Sequence, residues 1–187
     1  KKVNSINHDK YQVKFIDVLP LYSTGESVEI TNINIPVMTK VDILIVGGGT
    51  SGLPAALTAS DQNLSVMMIE KHAQLGGTRT IGGVTEFWFG HKSRFFEELN
   101  NLEQKKINES NLHKSAGMLQ ILNDKKIHLL LKTAAVGTIV GENGLEVRGV
   151  VVATPHGLRA IMAKCIIDAT GDGDIAAWGG AEYHYGN

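Results

Sequence analysis

Gly47, Gly49 and Gly52 stand in the spacing G-x-G-x-x-G, and a carboxylate, Glu70, follows 18 positions after the last of them. Together these residue types suit a dinucleotide. The first glycine permits a tight turn, the second lets a pyrophosphate come up against the backbone, and the third lets a helix pack closely on a strand. A helix amino terminus at that point would turn oriented N–H groups and a partial positive charge toward the phosphates. Glu70 is suited to accept hydrogen bonds from the hydroxyls of an adenosine ribose. Its charge would repel a 2′-phosphate, which disfavours NADP and leaves NAD or FAD.

For these residues to meet one ligand, the chain around them must fold as strand, turn, helix and strand. VDILIV, from Val41, is a nearly continuous apolar run of the kind buried on both faces of a parallel sheet. SGLPAALTAS predicts a helix after the glycines, with Ser51 placed to cap it and Pro54 tolerated in its first turn. SVMMIE then ends on Glu70 and completes a βαβ unit. Further on, HKSAGMLQILND predicts an amphipathic helix and IHLLL a third strand. AVGTIV, LEVRGVVVAT and LRAIMAK, divided by ENG and PHG, predict a small antiparallel meander, after which CIIDAT returns as another apolar strand. The polar, mixed-charge stretch 91–110 predicts a solvated helix or linker and not a core element. Ahead of the βαβ unit, YQVKFIDV and ESVEITNINI are separated by a turn-like segment. Residues 1–39 therefore read as a β-rich appendage to a domain spanning 40–187.

Composition sets the outer limits. A chain of 187 residues, 43% hydrophobic and 20% charged, can bury a globular core. Its 18 Lys and Arg nearly balance 19 Asp and Glu, so the net charge of −1 offers no overall field to a nucleic acid or an anionic membrane surface. No apolar run approaches the roughly 18 residues of a membrane span. No nucleic-acid or membrane partner is expected. The sequence fixes no compartment, and a soluble, cytoplasmic protein is the reading favoured. The one cysteine, Cys165, excludes an intrachain disulfide and, within an apolar strand pattern, reads as a buried, inert thiol. The seven histidines include no i,i+3 or i,i+4 pair, so no metal site is expected. The first residue is not methionine, which reads as a chain processed or excised from something longer.

Six residues beyond Glu70 comes Gly76-Gly77-Thr78-Arg79. EKHAQLGGTRT after GGGTSG, with CIIDATGDGD later in the chain, resembles the glutathione-reductase-like FAD-dependent oxidoreductases. In that group the acid is followed by a Gly-Gly loop lying along the flavin dinucleotide, and an Ala-Thr-Gly signature brings the chain back beside the cofactor. The three motifs occur in the same order here, from about Val41 to Gly180. The resemblance implies an α/β, Rossmann-like FAD-binding fold: a parallel sheet with helices and an antiparallel β-meander inserted before the last strand. It places the pyrophosphate at Gly47, Gly49, Thr50, Ser51 and Gly52, and the adenosine ribose at Glu70 with Lys71 alongside. Gly76, Gly77 and Thr78 would border the ribityl and phosphate region, Ala135 would meet adenine through its backbone, and Gly171 and Asp172 would close the site. Asp172 and Asp174 could instead cap the helix IAAW.

The function implied is that of the FAD-binding part of a flavin-dependent oxidoreductase acting on a small-molecule substrate. No acid, base or nucleophile stands out as catalytic. Phe87, Trp88 and Phe89 could flank a flavin ring, pack in the core or meet another domain. Members of the group usually carry a substrate domain, so that domain is expected to be missing or truncated here, or a homo-oligomer completes the site. Two alternatives stay open: an NAD-binding dehydrogenase fragment, and a dinucleotide-binding module without turnover.

Overall fold

The apolar run that ends at Val46 lies in a strand buried by different partners on its two sides. The computed structural model describes residues 11–15, 33–84, 89–110 and 113–184. In chain order its elements are β1 (Tyr11–Phe15), β2 (Val37–Val46), α1 (Gly52–Ser60), β3 (Val66–Ile69), one 3₁₀ turn (Gly77–Arg79), α2 (Arg94–Ser110), α3 (Lys114–Asp124), β4 (His128–Leu130), β5 (Ala134–Gly141), β6 (Val147–Thr154), β7 (Gly157–Asp168) and α4 (Asp174–Gly179). The strands form one mixed sheet in the order β1-β5-β6-β7-β2-β3-β4. β2 pairs in parallel with β3 and β7, and β3 with β4. On the other side of β7 the sheet is antiparallel, through β6 and β5 to β1.

Alternation along β2 and β3 divides the core. Ile45 and Met68 join Leu53 and Ala56 of α1 and Met118, Ile121 and Leu122 of α3 in one buried cluster. Leu44, Val46, Met67 and Ile69 point the other way and pack with Val150, Val152 and Ile161 of the meander and Ile175 of α4. With both faces of its carboxyl end covered, the run Ile43–Val46 of β2 shows no polar alternation. Burying one such large apolar side chain stabilises by about 1.5–3 kcal/mol, whereas an exposed ion pair is worth about 0–1 kcal/mol. Apolar burial therefore holds the helical layer to the sheet, and the ion pairs Lys106–Asp124 and Lys125–Asp61 at its surface add little.

Four local expectations need correction. The stretch 91–110 contains α2, which packs on α3 and buries Leu99 and Glu103. CIIDAT is not a separate strand: β7 runs unbroken from the meander to Asp168, so the third meander strand and the last parallel strand are the same element. Lys164 and Cys165 in its middle are exposed, so the thiol is not buried. Lys164 Nζ lies 2.6 Å from Asp42 Oδ1 on β2. Its charge, with hydrogen bonds from the Ser65 hydroxyl and amide, holds the Asp42 carboxyl well below the usual carboxylate range. Lastly, Tyr11–Phe15 of the expected appendage pairs with β5 as the outer strand of the sheet, and β2 begins at Val37, ahead of the expected boundary at residue 40. ESVEITNINI lies mostly outside the described residues.

Candidate functional site

The carboxyl ends of β2, β3 and β7 lie side by side, with Val46 opposite both Ile69 and Asp168. Three loops, 47–51, 70–76 and 169–173, consequently leave the sheet at one edge and enclose a cleft of about 560 Å³. Ligands of open α/β sheets bind at this end of the strands. At the first loop, Gly47 has φ +109°, and a Cβ there would run into the carbonyl of Ala169. A Cβ on Gly52 would run into the carbonyl of Gly47, so β2, α1 and the loop after β7 touch through bare backbone. Gly49 differs: a Cβ would find only Gly77 Cα, at 4.0 Å. The space in front of it opens into the cleft. Ser51 does not cap α1, because its φ of −89° and ψ of −31° already belong to the helix and its side chain makes no cap hydrogen bond. In the first turn Leu53 donates its amide to the Gly49 carbonyl at 3.4 Å, Ala55 to that of Ser51 at 3.3 Å, and Pro54 has no amide, so it is the turn ahead of Leu53, where Gly49, Thr50 and Ser51 line the cleft, that offers its amides there.

Glu70 is only 6% exposed at the end of β3. Its Oε2 accepts the Gly48 amide at 2.7 Å and its Oε1 the His72 amide at 2.8 Å. An ionised carboxylate offers about four acceptor positions, so capacity remains toward the cleft that Glu70 lines. Lys71 and His72, both exposed, line the same wall. Gly76 donates its amide to the Gly48 carbonyl at 2.8 Å, docking the second loop on the first. Past it, the Thr78 hydroxyl lies 3.2 Å from that of Thr50, so the two loops meet across the cleft.

Of the residues expected at the site, Gly47, Gly49, Thr50, Ser51, Glu70, Lys71, Gly77, Thr78, Ala135 and Gly171 line the cleft. Gly52 and Gly76 stand behind its wall as buried packing positions. Asp172 is exposed and does not line it, whereas Asp174 does. Burial, followed by the negative charges of Asp172 and Asp168, raises the Asp174 carboxyl pKa above the usual value, and Lys71 partly offsets this. Neither Asp172 nor Asp174 caps α4 with its side chain. Thr170 Oγ1 accepts the amides of Gly173 and Asp174 at 3.0 and 3.2 Å, and Asp168 Oδ2 accepts that of Ala176 at 3.0 Å. The cap comes from the end of β7, since Gly173 at the cap position has no side chain to offer. Sequence reasoning reads His72, near the glycine loops, as a surface histidine, and it is exposed but on the cleft wall; Thr133 and Ile81 on that wall were missed. Only their closeness to Ala135 and Thr78 in the chain could have flagged them. Phe87 and Trp88 lie outside the described residues, and Phe89 is 91% exposed.

Comparison with known proteins places this geometry. The sequence profile of the FAD dependent oxidoreductase family matches residues 42–187. Over 46 residues the chain is 52% identical to NADH:acrylate oxidoreductase of Vibrio harveyi, a stretch covering 24% of this chain and 5% of that protein. Over 45 residues it is 42% identical to thiamine thiazole synthase of Methanococcus aeolicus, covering 24% and 17%. The chain therefore matches only a small part of either relative. In fold it is similar to a flavoprotein/dehydrogenase of Cytophaga hutchinsonii (TM-score 0.55, 15% identity, 79% of this chain and 44% of that one). It is likewise similar to a geranylgeranyl bacteriochlorophyll reductase-like protein of Thermoplasma acidophilum (TM-score 0.54, 20% identity, 77% and 43%). With the profile spanning most of the sequence on a Rossmann-like α/β fold, the chain belongs to the FAD dependent oxidoreductase family, whose cofactor is FAD.

Proposed function

We propose that the cleft at the carboxyl ends of β2, β3 and β7 is the FAD site and that the chain serves as the FAD-binding part of an oxidoreductase acting on a small molecule. The observation that carries this reading is the open backbone at Gly49, beside the uncapped amino end of α1. Room that a side chain would fill, next to the amides of the turn ahead of Leu53, suits a pyrophosphate. Gly47, Gly49, Thr50 and Ser51 would hold it. The free acceptor positions of Glu70 would take ribose hydroxyls with Lys71 alongside, and the backbone at Ala135 would meet adenine. Gly77 and Thr78 border the middle of the cofactor, and Gly171 and Asp174 close the far side, with Asp174 in the place expected for Asp172. Bound FAD supplies the hydride and electron chemistry, while the protein orients it and sets its surroundings. The remaining substrate contacts come from outside these 187 residues, a reading supported by the exposure of Ile81, Val84 and Phe89.

Gly49→Val tests the site. Gly49 does not have positive φ and the space before it is open, so the fold should survive while the branched side chain occupies the phosphate position. Flavin titration of the purified protein, with identification of any released nucleotide, should show FAD bound by the wild type and binding sharply weakened in the variant. NAD in place of FAD, or unchanged flavin content in the variant, would overturn the assignment.

A further inference from the structure

The Gly-Gly loop is held in part by its own 3₁₀ turn, in which the Arg79 and Thr80 amides donate to the Gly76 and Gly77 carbonyls, and by the Gly76 amide on the Gly48 carbonyl. Its cleft-facing part, Gly77 and Thr78, is short and glycine-rich, and it is also tied to the helical layer at two anchors. At one end the Leu75 amide donates to Ser115 Oγ in the first turn of α3 at 3.0 Å. At the other, the Arg79 guanidinium forms a two-pronged ion pair with Glu103 of α2, with Nη1–Oε1 at 3.0 Å and Nη2–Oε2 at 2.7 Å. The Glu103 side chain is fully buried and that of Arg79 is 14% exposed. Gly117 on α3 lets α2 approach at this level, because a Cβ there would press on Ile107 at 3.2 Å and approach the Glu103 carbonyl at 3.7 Å.

A buried ion pair is a weak source of stability, because desolvating both charges cancels most of their attraction. What a two-pronged guanidinium–carboxylate pair fixes well is direction. Arg79 immediately follows Thr78, whose hydroxyl meets that of Thr50 across the cleft. We infer that Arg79 and Glu103 are positioning residues for the cofactor, setting the distance of Gly77 and Thr78 from the glycine loop by tying them to α2. The inference rests on reading the cleft as the FAD site. It adds that α2, which among the described residues offers the cleft no side chain, sets the affinity for the part of the cofactor beyond the adenosine diphosphate.

The test compares FAD with ADP, which lacks the ribityl and flavin part, on the wild type, Arg79→Lys, and the double variant Arg79→Met/Glu103→Leu. Lysine keeps the charge but not the two-pronged geometry. The double variant replaces the ion pair by apolar contact, which buried sites commonly tolerate without loss of stability. Both should melt near the wild type as apoproteins. Both should bind FAD about tenfold or more weakly, with faster flavin release, while ADP, which keeps the pyrophosphate but lacks the ribityl and flavin part, is weakened clearly less. If the wild type binds neither ligand, the assignment of the cleft itself fails. If it binds FAD and the double variant binds it equally well, the pair is merely structural and the positioning role is overturned. Equal weakening of FAD and ADP would also overturn it, by showing that the whole cleft has been disturbed.

Discussion

The Glu70 carboxylate is bonded to the amides of Gly48 and His72 before any ribose reaches it. A residue that only touched adenosine could be removed without cost to the apoprotein. Glu70 cannot, because truncation leaves the Gly48 amide unpaired in a buried position. The penalty for such a group is about 1–3 kcal/mol. Glu70→Ala should therefore lower the denaturation midpoint of the apoprotein and weaken FMN as well as FAD, since the glycine loop itself loosens, with FAD, which also loses the proposed ribose contact, weakened more. Glu70→Gln keeps one acceptor oxygen and should recover part of the stability, though not the charge-assisted hydrogen bonds to the ribose. Unchanged apoprotein stability in Glu70→Ala, measured by chemical denaturation, would show that the two amides find other partners. The placing of this acid beside the glycines was legible from spacing alone. Its grip on the two amides was not, because Gly48 and His72 converge on it only once β2 and β3 end in register. The exchange of Asp172 for Asp174 on the cleft wall has a similar origin: two residues' difference in a tight turn reverses which carboxyl faces inward.

Elements whose partners lie nearby in sequence, or whose two faces are both apolar, could be read directly. β2, α1, β3, α3 and the meander follow this rule. α2 did not, because its sequence RFFEELNNLEQKKINES carries mixed charges, and its most buried polar group, Glu103, is paired with a residue 24 positions earlier. β7 was divided at Lys164 and Cys165 because a polar step inside an apolar run mimics a break. The strand continues there because main-chain pairing with β2 on one side needs no apolar side chain. The end of β7 also carries the cap of α4. Thr170 and Asp168 together accept two α4 amides and that of Gly173 at its cap, and are bonded to each other at 2.7 Å. Thr170→Val keeps the shape and removes the acceptor, with an expected cost of about 0.5–2 kcal/mol. Because α4 is short, the loss should be local. Amide hydrogen exchange should quicken at Gly173 and Asp174 and stay unchanged in β2 and β3. Unaltered exchange at those two amides would mean that the hydroxyl is not their acceptor.

At the scale of the molecule, one strand joins two kinds of sheet, and the cleft exists because β7 does both jobs. Gly157–Met162 close the antiparallel meander, Ala160–Asp168 lie beside β2, and the end of the strand brings Ala169 and Thr170 to the cleft. On the proposed reading this scaffold would cover a dinucleotide from the sheet side. Chemistry at a flavin also needs a surface on the outer side that orients substrate and excludes water. Among the described residues, Ile81 on the cleft wall is exposed by 45%, and further along the chain Val84 is exposed by 52% and Phe89 by 91%. The chain covers 44% of the length of the flavoprotein/dehydrogenase whose fold it shares. These 187 residues, loaded with FAD, should therefore bind the cofactor without giving it the rate or selectivity of a complete enzyme. The measurement is anaerobic reduction of the loaded protein by a panel of hydride donors, followed by reoxidation with several acceptors. Slow reduction, linear in donor concentration and similar to that of free flavin, is the expected result. A saturable rate with a defined KM for one donor would show that the outer wall is already present, and that Ile81, Val84 and Phe89 form part of it instead of awaiting a partner.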